Sequence, residues 1–223
     1  MSDPVFLPGG RDARGTLDTA SEGLPTSDAS DADACVVACP PHPQHRGRRS
    51  DRRLRAVSDE LAARGCDCLR FDYGPWDGGR GERRDARNAV EWAGERYDRV
   101  ALFGYSFGGT VAVSAAADGP DVAAVAALAP PARVGAGPDS PDGAGGIDAV
   151  AAIRALPTAL PLCVLSGARD DVADVDPVVE AARNRGATVR AFRADHSFLG
   201  REREVADAVA GFLRPALHPD LCR

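Results

Sequence analysis

Lysine is absent from this chain. All 27 basic residues are arginine, Asp greatly outnumbers Glu among the 33 acids, and the formal net charge is −6. With no basic stripe to neutralise phosphates, the composition argues against nucleic-acid binding. Two origins of such a surface stay open: adaptation to high salt, where self-repulsion between surface carboxylates is screened, and GC-rich codon usage. Long hydrophobic runs are also missing. The most apolar segments are short, rich in Ala and Gly, and broken by turn residues, so no membrane span is expected. Met1-Ser2-Asp3-Pro4 leads into polar sequence without a basic stretch followed by an apolar one. No secretory signal is visible there, and a cytoplasmic location is expected.

No C-x-x-C pair occurs among the six cysteines, Cys35, Cys39, Cys66, Cys68, Cys163 and Cys222. Five of them fall in apolar runs that read as strands, where cysteine usually serves as a small buried apolar residue. Neither a metal site nor a cofactor is expected. What is present is ordinary for a globular protein: 223 residues, 44% hydrophobic and 27% charged, enough for one well-buried core. One domain covering 1–223 follows, as monomer or homodimer, with a Ser-, Asp-, Thr- and Pro-rich linker at 21–33 and a tail at 214–223.

Apolar runs of strand length alternate with helical stretches, the pattern of a parallel sheet with helices on both faces. Val5-Phe6-Leu7 and Thr16-Leu17-Asp18 flank the Gly9-Gly10 turn and predict an antiparallel edge. Core strands are expected at 34–39, 66–71, 99–103, 122–128, 162–166 and 188–193. The helices between and after them are expected at 51–63, 84–96, 110–117, 147–155, from 177 onward, and at 201–213. The charged face of the 84–96 helix reads as solvent surface. Gly65 stops the first helix, and Pro177 suits the first turn of another.

One segment carries chemistry. Strand 99–103 runs into Gly104-Tyr105-Ser106-Phe107-Gly108-Gly109 and then into a helix, and a strained turn of that kind presents a serine hydroxyl above the sheet. The pentapeptide alone proves little, because 24 glycines in a chain of this length make a chance match to G-x-S-x-G about a one-in-ten event. Context adds the weight. A serine needs a base to take its proton during attack, and in this architecture the acid and the base follow it on loops at later strand ends. Asp170, just past strand 162–166, and His196, just past the last strand, fit that order. Asp171, Asp174 and Asp176 compete with Asp170, which is preferred. His42 and His45 precede the serine and His218 lies beyond the last helix, so none of these suits the base. The backbone N–H groups of Phe107 and Gln44 are the candidate oxyanion donors, and Tyr73, Trp76 and Phe198 are candidate substrate-lining residues.

These residues resemble the small α/β-superfamily hydrolases of the dienelactone-hydrolase-like type. Cys39-Pro40-Pro41-His42-Pro43-Gln44-His45 is similar to the family's His-Pro-His-Pro loop, and Leu69-Arg70-Phe71-Asp72 to its Leu-Arg-Phe-Asn strand end. The resemblance implies an α/β-hydrolase fold, a mostly parallel twisted sheet of about eight strands with helices on both faces. It also implies Ser106, Asp170 and His196 as a triad, with Gln44 and Phe107 at the oxyanion. Two departures stand out. Pro40 occupies the place of the family's first His, and Ser106 stands where dienelactone hydrolases proper use Cys. The roughly thirty residues between strands 122–128 and 162–166 leave no room for a substantial lid, and an open site favours a small acyl substrate. The readings carried forward are a serine acyl hydrolase, a non-catalytic binding or regulatory module on the same fold, and an acyltransferase or peptidase using the same triad.

Overall fold

In the computed structural model, which describes residues 2–20, 33–119, 121–135 and 146–219, strands and helices alternate along the chain. Two strands come first, β1 (Ser2–Phe6) and β2 (Arg14–Asp18), paired antiparallel. The central part follows as β3 (Ala34–Cys39), α1 (Arg52–Ala62), β4 (Asp67–Asp72), α2 (Arg80–Gly94), β5 (Arg99–Tyr105), α3 (Phe107–Ala117) and β6 (Val125–Leu128). The two-residue strands β7 (Arg133–Val134) and β8 (Ile147–Asp148) then pair with each other beside α4 (Ala149–Ala155). The chain continues through β9 (Leu162–Gly167), α5 (Asp176–Asn184), β10 (Thr188–Phe192) and α6 (Glu202–Leu217).

Eight strands form one sheet in the order β1-β2-β4-β3-β5-β6-β9-β10. Pairing is parallel from β4 to β10, while β1 and β2 close one edge antiparallel. Every residue of β3, β6 and β9 is buried, as expected where helices cover both faces of a parallel sheet. On one face α1 and α6 pack Leu54, Leu61, Val205 and Leu213 against the strands. On the other, α2 to α5 contribute Val90, Val111, Ile153 and Val178. This is the α/β-hydrolase architecture, and the described residues between β6 and β9 add only the small β7–β8 ribbon and α4.

The helix termini show why the elements start where they do. Asp51 caps α1 by accepting from Arg53 N at 2.9 Å, and α1 buries Leu54, Val57, Ser58 and Leu61 at helical spacing. Helix α2 begins four residues before the expected Arg84. Gly79 takes φ +95°, and Glu82 reaches back to accept from Asp77 N at 2.9 Å and Gly79 N at 2.8 Å. That backward-reaching carboxylate, the Glu half of a capping box, turns apparent loop into first turn.

Three further expectations are corrected. The charged face of 84–96 is not all solvent surface, because Asp85 is fully buried, as is Glu82 in the added first turn. Residues 214–217 are not tail: α6 runs through Pro215 to Leu217, which is 2% exposed against the core. Strand β6 starts at Val125 rather than Val122. Of the expected linker, residues 21–32 lie outside the described residues, as does Cys222. Among the described residues no helix is long and apolar enough to cross a membrane.

The buried carboxylates of α2 lock the antiparallel edge to the rest of the molecule. Arg11, in the β1–β2 connection, donates through Nε to Asp85 Oδ1 at 2.8 Å and also to the carbonyl of Pro75, and lies 4.0 Å from Glu82. Gly74 N donates to the other oxygen of Asp85 at 3.0 Å. Removing the cation strands two buried carboxylates, which typically costs about 3–5 kcal/mol. Arg11→Ala is therefore expected to lower the melting temperature by roughly 10 °C in a chain of this size. Calorimetry checks this, and an unchanged melting temperature would show the pairing to be dispensable.

Candidate active site

Strand β5 ends in a turn that leaves no space for side chains around it. Ser106 has φ +54° and ψ −124°, a conformation L residues adopt only when their surroundings enforce it. The enforcement is visible on both sides. Ser106 N donates to Leu128 O at the end of β6 at 2.7 Å, and Gly109 N donates back to Ser106 O at 2.8 Å. A Cβ on Gly104 would meet Gly108 O at 2.0 Å, and a Cβ on Gly108 would meet Cys39 O at 2.1 Å. The two glycines are thus required by close backbone approach, and the first turn of α3 rests directly on the end of β3.

The loops after β9 and β10 converge on that serine. His196 Nε2 lies 2.9 Å from Ser106 Oγ, and His196 Nδ1 lies 2.8 Å from Asp170 Oδ2. An ionised carboxylate can only accept, so Nδ1 carries the proton and Nε2 is left to accept from the serine hydroxyl. Asp170 Oδ1 accepts from Val172 N and Ala173 N, both at 3.0 Å, and its side chain has no exposed surface. Asp171 is exposed and makes no such contact. The two loops are themselves laced together, Ala168 N to Phe192 O at 2.8 Å and Arg169 N to Ala194 O at 3.0 Å.

The histidine loop is held from below. Tyr105 donates its hydroxyl to His196 O at 2.9 Å. Asp195 Oδ1 accepts from Ser197 N at 3.0 Å and Ser197 Oγ at 2.7 Å. Phe198 has φ +49° and is fully buried, edge-on to Tyr105 and Phe192. The expectation that Phe198 lines a substrate site is corrected: the left-handed backbone turns its ring into the core, where it supports the loop that carries His196.

Beside the serine, the Cys39–Arg49 loop and the Tyr73–Trp76 segment build an aromatic patch. The His42 ring stands 4.5 Å from Trp76, 4.6 Å from His45 and 4.9 Å from Phe107, and Tyr73 meets Phe107 edge-on at 5.6 Å. Trp76 and Tyr73 are half-buried, and the Tyr73 hydroxyl donates to Pro40 O at 3.2 Å. Burial, reinforced by His45, holds the His42 pKa below its ordinary value and so keeps the ring neutral. Its Nδ1 accepts from Gln44 N at 3.3 Å, in a single 3₁₀ turn over Pro43–His45. Gln44 is therefore already engaged, through a long bond. Phe107 opens α3, where first-turn N–H groups have no partner within the helix.

Sequence reasoning located Ser106, Asp170 and His196, and the structure brings all three together. It missed Tyr105 and His42, whose parts are played through a main-chain carbonyl and a ring face. The five described cysteines are buried and free, and burial pushes the thiols of Cys68 and Cys163 up to about 12, far from thiolate chemistry. Among the described residues no group of three His, Cys, Asp or Glu is arranged to hold a metal ion.

Comparison with known proteins places the fold. A lidless α/β serine hydrolase from Xanthomonas campestris superposes with a TM-score of 0.74 at 22% identity, covering 96% of this chain and 94% of that one. Est1E from Butyrivibrio proteoclasticus gives 0.76 at 16% identity, over 96% and 98%. A dienelactone hydrolase from Anabaena variabilis gives 0.68 at 18% identity, over 96% of each chain. At these identities the likeness establishes the fold. No curated protein matches the chain. Residues 78–212, which include Ser106, Asp170 and His196, match the dienelactone hydrolase family, and with more than half of its length so matched, the chain belongs to that family.

Proposed function

We propose that this chain is a serine acyl hydrolase that cleaves a carboxylic ester or related acyl bond of a small substrate through an acyl-serine intermediate. The observation that carries the reading is the unbroken contact series Asp170–His196–Ser106, 2.8 and 2.9 Å, ending on a turn that exposes the serine at the head of α3. Membership of the dienelactone hydrolase family supports a hydrolase, and the contact series supports the finer assignment.

The steps follow from the proton positions. As Ser106 Oγ attacks the carbonyl carbon, its proton passes to His196 Nε2. Asp170, fixed by two main-chain N–H groups, keeps the other ring proton on Nδ1 and stabilises the imidazolium. Negative charge gathers on the carbonyl oxygen, where Phe107 N–H is one donor. Gln44 N–H is the second, once it exchanges its long bond to His42 for that oxygen. Each such donor is worth about 3 kcal/mol in the transition state. The C–O bond to the leaving alcohol then breaks, with His196 returning the proton to the departing oxygen. Water, deprotonated by the same nitrogen, releases the acid and restores Ser106. Trp76 and Tyr73, half-buried and packed on the buried ring of Phe107, offer apolar area to the substrate. The oxygen nucleophile makes the base indispensable, because a hydroxyl is far less ionised than a thiol at neutral pH.

A fluorophosphonate probe is expected to label the folded protein at Ser106 and to leave Ser106→Ala unlabelled. Equal labelling of the two, or none of the wild type, would remove the serine from the mechanism. The two adjacent carboxylates separate in a second experiment. Asp170→Asn is expected to lower the turnover of a p-nitrophenyl short-chain ester by up to about 10⁴-fold through loss of the required tautomer, whereas Asp171→Asn stays near wild type. The reverse order would reassign the acid.

A further inference from the structure

We propose that Arg53, in the first turn of α1, is a positioning residue for His196. The proposal rests on the serine hydrolase reading and adds the device that aims its base. Arg53 comes from an element far from both loops in sequence, yet its Nη1 donates to Ser197 O at 3.0 Å. Its guanidinium lies 4.3 Å over the ring of Tyr105, the residue that precedes Ser106. Tyr105 in turn donates its hydroxyl to His196 O at 2.9 Å, and its ring lies 5.5 Å from that of His196. One stacked pair, guanidinium on phenol, therefore fixes two consecutive carbonyls of the loop that carries the base.

The clamp is rigid for identifiable reasons. Asp51 accepts from Arg53 N as the helix cap and from Arg53 Nη2 as an ion-pair partner, so both ends of the residue are tied to one carboxylate. The arginine and aspartate side chains are only 13% and 12% exposed, so solvent screens the pair little. Arg53 Nε is buried without an oxygen partner. An arginine serving only to pair with Asp51 had no need to give up that hydrogen bond. The ring face of Tyr105 takes its place, and cation–π attraction is strongest where water is excluded. The loop beyond needs such a hold, since Phe198 sits at φ +49° against its intrinsic preference. A shift of about 1 Å in the imidazole would misalign it with both Ser106 and Asp170, and misplacement of that size lowers rates on the order of 10²-fold.

The test compares Arg53→Ala, Arg53→Lys and Tyr105→Phe with the parent chain, reading kcat and KM on a p-nitrophenyl ester, the melting temperature, and the His196 Nδ1 proton by NMR. Arg53→Ala is expected to lower kcat on the order of 10²-fold with KM nearly unchanged, and to broaden the Nδ1 proton signal. Arg53→Lys, which restores a cationic donor for Ser197 O, is expected to recover much of kcat. Tyr105→Phe removes only the hydroxyl, preserves the fold, and is expected to lose kcat in the same sense should Arg53→Ala fail to fold. A kcat within about twofold of the parent in the folded variants, or a loss that follows only the unfolded fraction, would overturn the proposal. Were the parent chain unlabelled by the fluorophosphonate, the hydrolase reading would fall. The Arg53 proposal would then be judged on the imidazole signal alone, broadened for it and unchanged against it.

Discussion

Everything at the site depends on the left-handed backbone of Ser106. A serine at φ +54° is held there by its N–H on the end of β6, by Gly109 N on its own carbonyl, and by two glycines at van der Waals limit with neighbouring main chain. The consequence is geometric: β5 delivers the serine to the C-terminal edge of the sheet, and the Phe107 N–H that opens α3 follows directly after it. The surrounding core supplies the rigidity, since Phe107 to Ala116 are all buried between sheet and helices. A turn under strain persists only when its surroundings over-determine it, and here β3, β6 and α3 each contribute a backbone contact.

Around that fixed point the other groups are brought in by loops, and loops need their own restraint. The Asp170 loop is restrained by Asp170 itself, whose second oxygen closes the turn onto Val172 and Ala173. The His196 loop is restrained by neighbours: backbone bonds to the Asp170 loop, the buried ring of Phe198, and the Tyr105–Arg53 stack from α1. Tyr105 thereby links Ser106 and His196 through one residue, adjacent to the first in sequence and bonded to the second in space.

The fold was legible because the strands alternate with helices at regular spacing and the central strands β3 and β6 are continuously apolar. Strand β3 has the expected ends, and the Ser106 turn was readable from two glycines whose absence of side chains is itself the signal. Legibility failed where a polar or aromatic residue acts across the fold. Arg53 looks like any charged helix residue until Ser197 and Tyr105 arrive from 144 and 52 positions away. Asp85 looks like solvent face, and Glu82 like part of the loop before the helix, until Arg11 claims the first and Asp77 and Gly79 the second. Phe198 reads as a substrate contact because it follows the histidine, and only its positive φ sends it inward. His42, dismissed as a base by its position before the serine, proves to be the centre of the aromatic patch.

The central claim is that Ser106 becomes covalently acylated with His196 as its base, and pre-steady-state mixing with a p-nitrophenyl ester tests it most directly. A burst of p-nitrophenol close to one equivalent of protein is predicted, with the acyl mass on the peptide that contains Ser106, and with the burst abolished in His196→Ala. Linear release without a burst and with no acylated peptide, or an acyl group found on another residue, would contradict it.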